Sequence, residues 1–222
     1  MYNKKKIGAI VEARMNSTRL PGKILMDIGN KPSLKHTTDR LALVKGIDEI
    51  IIATTTNKND DVVEIFCKKN NISCFRGSEN NVLNRVLKAS YKFDIDIIVE
   101  ITGDSVFVDH QIISEAITEY LNGNNDFVAN CVSEPMYIAG FDARVFATHL
   151  LQEIEKKIVD DEDFEHVTSY IWKNPSKFSI KNIAPPKLLE SGSIFLGLDT
   201  TEDLKLLREI YKALGKEDLY FN

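Results

Sequence analysis

With 222 residues, 43% of them hydrophobic, and a formal net charge of -5, the chain can bury one substantial core and is too acidic for nucleic acid to be its main partner. It has no basic tail and no apolar stretch approaching the roughly 20 residues that a membrane-spanning helix needs. Cys67, Cys74 and Cys131 lack Cys-x-x-Cys spacing and fit the reduced thiols of a cytoplasmic protein, and too few apolar residues follow Lys4-Lys5-Lys6 for a secretory leader.

The elements alternate. Residues 7–11 form a first strand and 50–53 a second. Residues 61–70 have helical periodicity, with Val62, Ile65 and Phe66 expected on one side, and 73–75 give a short strand. Val82, Leu83, Val86, Leu87 and Ser90 make the stripe of another helix. Residues 95–101 are the longest apolar run, which suits a strand covered on both faces. Ile112, Ile113, Ala116, Ile117 and Leu121 mark a helix closed by Asn122-Gly123, and 126–132 return to strand.

From 133 to 193 the alternation loosens. A turn at Ser133-Glu134-Pro135 precedes a helix over 149–157, an acidic linker over 160–163, a helix ending at Asn174-Pro175, and a strand over 178–183. A strand over 194–198 leads to Thr200-x-x-Asp203, a capping-box spacing. The helix it opens places Leu204, Leu207, Ile210, Tyr211 and Leu214 on one face and stops at Gly215. Strands alternating with helices imply crossover connections, hence an α/β fold with a mostly parallel, Rossmann-like sheet. The whole of 1–222 is expected to be a single domain, with 133–193 a small inserted subdomain.

Ligands of open α/β sheets gather where strands end in loops. The loop after the first strand, Ala13-Arg14-Met15-Asn16-Ser17-Thr18-Arg19-Leu20-Pro21-Gly22-Lys23, concentrates three cations in an acidic chain. Arginine forks and a lysine point charge suit phosphate oxygens, and Ser17, Thr18 and backbone amides could add donors. The competing account is a solvated loop whose arginines pair with surface carboxylates. Asp104 ends the longest apolar run and Asp199 lies between a strand and a helix. Each could simply cap a turn or a helix; together with the cationic loop they describe a magnesium–triphosphate site. Arg76-Gly77-Ser78 could meet a base or ribose, or form a polar turn. Asp142 could be a third carboxylate or a solvated turn residue, and a lone His166 is more often packed than catalytic.

Set side by side, these loops resemble the cytidylyltransferases that make CMP-sugars, in the branch similar to spore-coat polysaccharide cytidylyltransferases and related to the CMP-3-deoxy-manno-octulosonate and CMP-acylneuraminate synthetases. The run 13–23 carries most of the resemblance. Gly29-Asn30-Lys31-Pro32, Ala53-Thr54-Thr55-Thr56-Asn57, Phe75-Arg76-Gly77-Ser78-Glu79, Ile101-Thr102-Gly103-Asp104, Gly140-Phe141-Asp142, Glu165-His166-Val167-Thr168 and Leu198-Asp199-Thr200-Thr201 extend it in order along nearly the whole chain. The resemblance implies a nucleotide-diphospho-sugar transferase fold, CTP as donor, Mg²⁺ as cofactor, a sugar or sugar-phosphate acceptor and a homodimer. It implies that Arg14 and Lys23 hold the triphosphate and, with Asp104, carry the catalysis. Ala13, Ser17, Thr18, Arg19, Arg76, Gly77, Ser78, Thr102 and Gly103 would line the nucleotide, and Asp104 and Asp199 would hold the metal. Asp142, Glu165 and His166 would face the acceptor, with 133–193 as acceptor lid and dimer contact.

The chain departs from the branch at three places. Glu100 stands where a basic residue is usual, Ser105-Val106-Phe107-Val108-Asp109 replaces Cys-Pro-Leu-Ile-Asp, and Asn81 and Asn84 replace two aspartates. A glycosyltransferase on the same kind of fold would favour an Asp-x-Asp motif. Asp94-x-Asp96 has that spelling, at the start of its strand instead of the end. The other rival is a non-catalytic nucleotide-binding protein.

Overall fold

A computed structural model describes residues 4–134, 136–189 and 194–214. In chain order the elements are β1 (Ile7–Glu12), β2 (Asp27–Ile28), β3 (Lys31–Pro32), α1 (Ser33–Leu41), β4 (Glu49–Thr55), α2 (Asp61–Lys69), β5 (Ser73–Gly77), α3 (Val82–Lys92) and β6 (Ile97–Thr102). There follow α4 (His110–Asn122), β7 (Phe127–Ala129), β8 (Arg144–Ala147), α5 (Thr148–Glu155), α6 (Asp161–Glu165), α7 (Ser169–Lys173), β9 (Ile180–Asn182) and α8 (Thr201–Leu214).

The main sheet has seven strands in the order β5-β4-β1-β6-β8-β7-β9. β8 runs antiparallel to β6 and β7, and every other neighbouring pair in the sheet is parallel. β2 and β3 make a separate two-stranded ribbon. The sheet is thus the mostly parallel one that the alternating pattern implies. The segment 133–193 does not stand apart from it, since β8 is threaded between β6 and β7 and β9 extends the β7 edge.

Strand alternation divides the core between the two faces of the sheet. Ile7, Ala9 and Val11 of β1, with Ile97, Val99 and Ile101 of β6, pack with Leu34, Leu41, Val63, Ile113 and Ile117. Ile10 and Ile98 point the other way, among Leu83, Val86, Leu87, Phe127, Phe146, Leu150 and Leu151. Helices cover both faces, which is why the central strands are apolar at nearly every position. A third cluster joins Leu20, Ile28, Val106, Phe107, Leu198, Leu204 and Leu207, and docks α8 against the loops that follow β1 and β6.

The local chemistry of several elements is plain. Asn81 caps α3 through the Asn84 N–H at 2.7 Å, and Asp109 caps α4 through Gln111 and Ile112. At α8 the Thr200 and Asp203 pair is reciprocal: Asp203 N–H donates to Thr200 Oγ1 at 3.2 Å and Thr200 N–H to Asp203 Oδ2 at 2.8 Å.

Some expectations need correction. In α2 the inner residues are Val63, Phe66 and Cys67, whereas Val62 and Ile65 are exposed, so the helix is rotated from the expected face. The linker over 160–163 belongs to the short helix α6, and the strand expected over 126–132 is only Phe127–Ala129. Residues 194–198 contribute only a bridge from Phe195 to Ala139. Leu214 is exposed, unlike Leu204 and Leu207 on the same helix. Pro135 of the expected turn and Gly215 of the expected stop lie outside the described residues. Among the described residues no helix is long and apolar enough to cross a membrane.

The rotation of α2 is directly testable. Phe66→Ala is expected to cost about 3–5 kcal/mol of stability, and Ile65→Ser to stay within about 0.5 kcal/mol. Urea unfolding followed by circular dichroism measures both, and the reverse order would restore the expected face.

Candidate active site

The chain leaves β1 to build β4 and β5 on one side, then crosses back to place β6 on the other. The carboxyl ends of β1 and β6 therefore flank the point where the winding reverses, the usual ligand crevice of such sheets. A cleft of about 320 Å³ opens there, lined by Ala13, Arg14, Ser17, Thr18, Arg19 and Lys23 of the first loop, by Thr102, Gly103 and Asp104 after β6, and by Glu12, Ile24, Val82, Arg85, Glu165 and His166.

The first loop is shaped by its own backbone. Gly22 N–H donates to the Met15 carbonyl at 2.8 Å, which folds the loop back on itself, and Gly22 takes a left-handed φ of 76° that favours glycine. Met15 N–H is held at 2.7 Å by Asp60 Oδ1, a carboxylate only 1% exposed that also accepts the Thr55 hydroxyl. Asn16 and Asn57 both donate to the Glu79 carboxylate, at 2.9 and 3.1 Å. At Gly103 a side chain is excluded, because a Cβ would lie 2.4 Å from the Glu12 carbonyl oxygen. The ends of β1 and β6 can approach only because that position is glycine.

The loop presents Lys23 to two carboxylates at once. Its Nζ is 2.8 Å from Asp104 Oδ2 and 2.8 Å from Asp199 Oδ1, and Arg19 Nη2 reaches Asp199 Oδ1 at 2.9 Å. Burial opposes the Asp104 carboxylate, but the Lys23 charge and its hydrogen bonds prevail and hold its pKa below the ordinary aspartate value. The two strand-end carboxylates thus converge on one cation-sized position, which the lysine ammonium fills. Among the described residues no cluster of three or more His, Cys, Asp or Glu side chains could hold a metal. Asp104 and Asp199 offer two carboxylates at this position, the number that Mg²⁺ usually takes from a protein.

Behind this cleft lies a smaller pocket of about 130 Å³ that shares Glu12, Thr102, Glu165 and His166 with it and adds Glu100, Arg144, Val167, Thr168 and Trp172. Arg144 lies directly across from Glu100 in the β6–β8 register. Its guanidinium is 3.8 Å from Glu100 Oε1 and 3.0 Å from Asp142 Oδ2. Glu12 Oε1 and Glu100 Oε2 are buried without a hydrogen-bond partner. Burial, then the neighbouring Glu100 charge, pushes the Glu12 carboxyl well above the ordinary value, and burial raises Glu100 as well despite the charge of Arg144.

Ala13, Arg14, Ser17, Thr18, Arg19, Lys23, Thr102, Gly103, Asp104, Glu165 and His166 are gathered at the cleft, and Asp199 reaches it through Lys23. Arg14 pairs with Glu165 at 2.7 Å, bridging the first loop and α6. Arg76, Gly77 and Ser78 do not line the cleft. The Arg76 guanidinium is turned onto Asp61, Glu64 and the Thr55 and Asn57 carbonyls. Gly77 accepts the Thr56 N–H, and Ser78 Oγ accepts the Asn81 N–H. Asp142 lines neither cavity and acts on Arg144. Asp96 accepts the Lys6 N–H before the start of β6, at the far end of the sheet from the cleft, so the Asp94-x-Asp96 spelling takes no part in the site.

Sequence reading missed Asp60, Arg85 and the role of Glu12. Arg85 is 2% exposed, lines the cleft and donates from Nε to the Ala53 carbonyl at 3.2 Å. Its signal was a charged residue set in the apolar stripe of Val82 and Val86. Asp60 has no comparable signal, because an acidic residue just before a helix ordinarily caps it.

Two predictions follow from this geometry. Asp60→Ala strands the Met15 N–H and should cost about 1–3 kcal/mol, with faster hydrogen exchange in the 13–23 loop as the specific readout. The Glu12–Glu100 pair keeps a proton in the folded chain that unfolded glutamates release near 4.5. The folded state then binds more protons, so stability falls as pH rises above that value, by up to about 1.4 kcal/mol per pH unit for one proton. Chemical denaturation at about pH 5 and about pH 7 should show a smaller loss in Glu12→Gln than in the parent.

The chain is similar to known proteins over nearly its whole length. The profile of the cytidylyltransferase family matches residues 8–213. The spore coat polysaccharide biosynthesis protein SpsF of Bacillus subtilis is 31% identical over 93% of this chain and 87% of its own length. A cytidylyltransferase structure from Leptospira borgpetersenii superposes with a TM-score of 0.89 at 32% identity, over 95% of this chain and 88% of that one. A CMP:2-keto-3-deoxy-manno-octonic acid synthetase complexed with CTP shares the fold, with a TM-score of 0.71 at 16% identity over 94% of this chain and 99% of its own. The chain belongs to the cytidylyltransferase family.

Proposed function

We propose that the protein transfers CMP from CTP to an oxygen of a sugar or sugar phosphate, with release of pyrophosphate and with Mg²⁺ as cofactor. The observation that carries this reading is the convergence of Lys23, Asp104 and Asp199 at the reversal point of the sheet, beside a loop that adds Arg14 and Arg19. Fixed cations on one wall and a carboxylate pair on the other are what a metal-bound polyphosphate requires.

In the reaction an acceptor oxygen forms a bond to the α-phosphorus of CTP while the bond from that phosphorus to the bridging oxygen breaks. The electron pair leaves with pyrophosphate. Both substrates are anions, so bringing them together is the main electrostatic obstacle. Lys23, released from Asp104 and Asp199 as phosphate enters, follows the β- and γ-phosphates and stabilises the charge that grows on the leaving group. Arg14 exchanges Glu165 for phosphate, and Arg19 lies beside it at the mouth of the cleft. Asp104 and Asp199 would hold Mg²⁺, which would supply charge neutralisation to the phosphates. Glu165 and His166, shared by the cleft and the pocket behind it, stand where the acceptor oxygen must approach. An acceptor phosphate is already ionised and needs no base, and a hydroxyl acceptor would pass its proton to the Glu165 carboxylate that Arg14 has released.

A thermal-shift series with the four ribonucleoside triphosphates and Mg²⁺ tests the nucleotide half, since a ligand of the native state raises the melting temperature by mass action. A rise confined to CTP is expected, and no response to any of them sinks the reading. Lys23→Ala and Asp104→Ala should each lower the rate of pyrophosphate release by about 10²–10³-fold while the fold persists. Parent-like release by either variant would remove these residues from the mechanism.

A further inference from the structure

The pocket behind the cleft has an unusual balance of charge. Three carboxyl side chains line it, those of Glu12, Glu100 and Glu165, against one guanidinium, that of Arg144. The guanidinium is already committed to Glu100 at 3.8 Å and to Asp142 at 3.0 Å. Glu165 is neutralised from the cleft side by Arg14 at 2.7 Å. The Glu12 and Glu100 carboxyls hydrogen-bond each other, yet each keeps one buried oxygen without a hydrogen-bond partner, and Glu100 is 3% exposed. The Thr168 hydroxyl hydrogen-bonds the Glu100 carboxyl.

Buried acceptor atoms without donors are costly, and a ligand that brings donors relieves that cost. A ligand that brings another carboxylate places a further negative charge against the charge that the Glu12–Glu100 pair already shares, and the Arg144 guanidinium is already committed to Glu100 and Asp142. We propose that this pocket takes the hydroxyl- or amino-bearing end of the acceptor sugar and rejects a carboxylate, with Glu12 and Glu100 as the specificity-determining residues. At about 130 Å³ the pocket has the volume of only a few water molecules and admits one end of a sugar, while the reacting oxygen stays in the cleft. The proposal rests on this pocket being the acceptor end of the CTP site.

The chain has a single tryptophan, Trp172, and it lines the pocket, so tryptophan fluorescence responds to binding there. Full-length protein is titrated with glucosamine, glucose and glucuronate, which share one ring size and differ in charge. CTP binding is followed separately by thermal shift. Glucosamine and glucose are expected to perturb Trp172 at concentrations at least about tenfold below glucuronate. In Glu100→Gln that ratio is expected to shrink towards unity. Glu12→Gln is titrated in parallel, so that poor folding of one variant leaves the other to decide. Glucuronate binding as tightly as glucosamine and glucose, an unchanged ratio in the folded variants, or no response of Trp172 to any of the three sugars overturns the proposal. If the sugars follow the expected order while CTP gives no thermal shift, the pocket assignment stands and the nucleotide reading falls.

Discussion

Three parts of the chain that are distant in sequence meet on one ammonium group. Lys23 is 81 residues from Asp104 and 176 from Asp199, and its Nζ contacts both. The lysine side chain is 12% exposed and that of Asp199 13%, so solvent and salt screen the contact only in part. Losing the lysine would leave two carboxylates facing each other in a poorly solvated place, the costly half of any buried ion pair. Most of the surrounding structure serves this meeting. The folded-back loop with Asp60 beneath it sets the position of Lys23. The close approach of β1 and β6 at Gly103 sets Asp104, and the apolar docking of α8 sets Asp199.

The precision comes from the layers beneath. β1 and β6 are packed on both faces, so the strand ends that carry the loops are anchored in a core with little freedom. Side chains on such elements can be held in fixed geometry, whereas the long polar residues of the cleft could not organise themselves. The ion pairs of the site connect different segments: Arg14 joins the first loop to α6, and Arg144 joins β8 to β6. The cations of the first loop are matched by carboxylates from other segments, which lets an acidic chain keep a cationic loop at its cleft.

Much of this was legible in the sequence. The alternation of apolar runs gave the parallel sheet because strands buried on both faces leave a dense signal. The cationic loop and the two strand-end aspartates stood out because their residue types are improbable by packing alone. Other elements were hidden for physical reasons. Helix α1 buries Ser33, His36, Thr37, Thr38 and Arg40 and satisfies them on carbonyls, as Thr37 does on Ser105 and Arg40 on Val108, so no apolar stripe announces it. β8 is four residues long, too short for a period to register. Arg76 misled because an arginine after a strand has the same spelling whether it faces a ligand or, as here, the first turn of α2.

The reversed direction of β8 has a further consequence. A parallel strand would bring its carboxyl end to the cleft and send its chain onward into a crossover helix. β8 instead brings its first residue, Arg144, to the smaller pocket, fed by a connection from β7 that the buried Asn130 clasps through Phe141 and Ala143. One wall of the smaller pocket is therefore written in a stretch of chain separate from the loops after β1 and β6. Mutation can lengthen, shorten or recharge that stretch while the loops after β1 and β6 keep their spelling. Such a division lets a lineage change what the inner pocket admits in small inherited steps, without passing through forms that have lost the outer cleft.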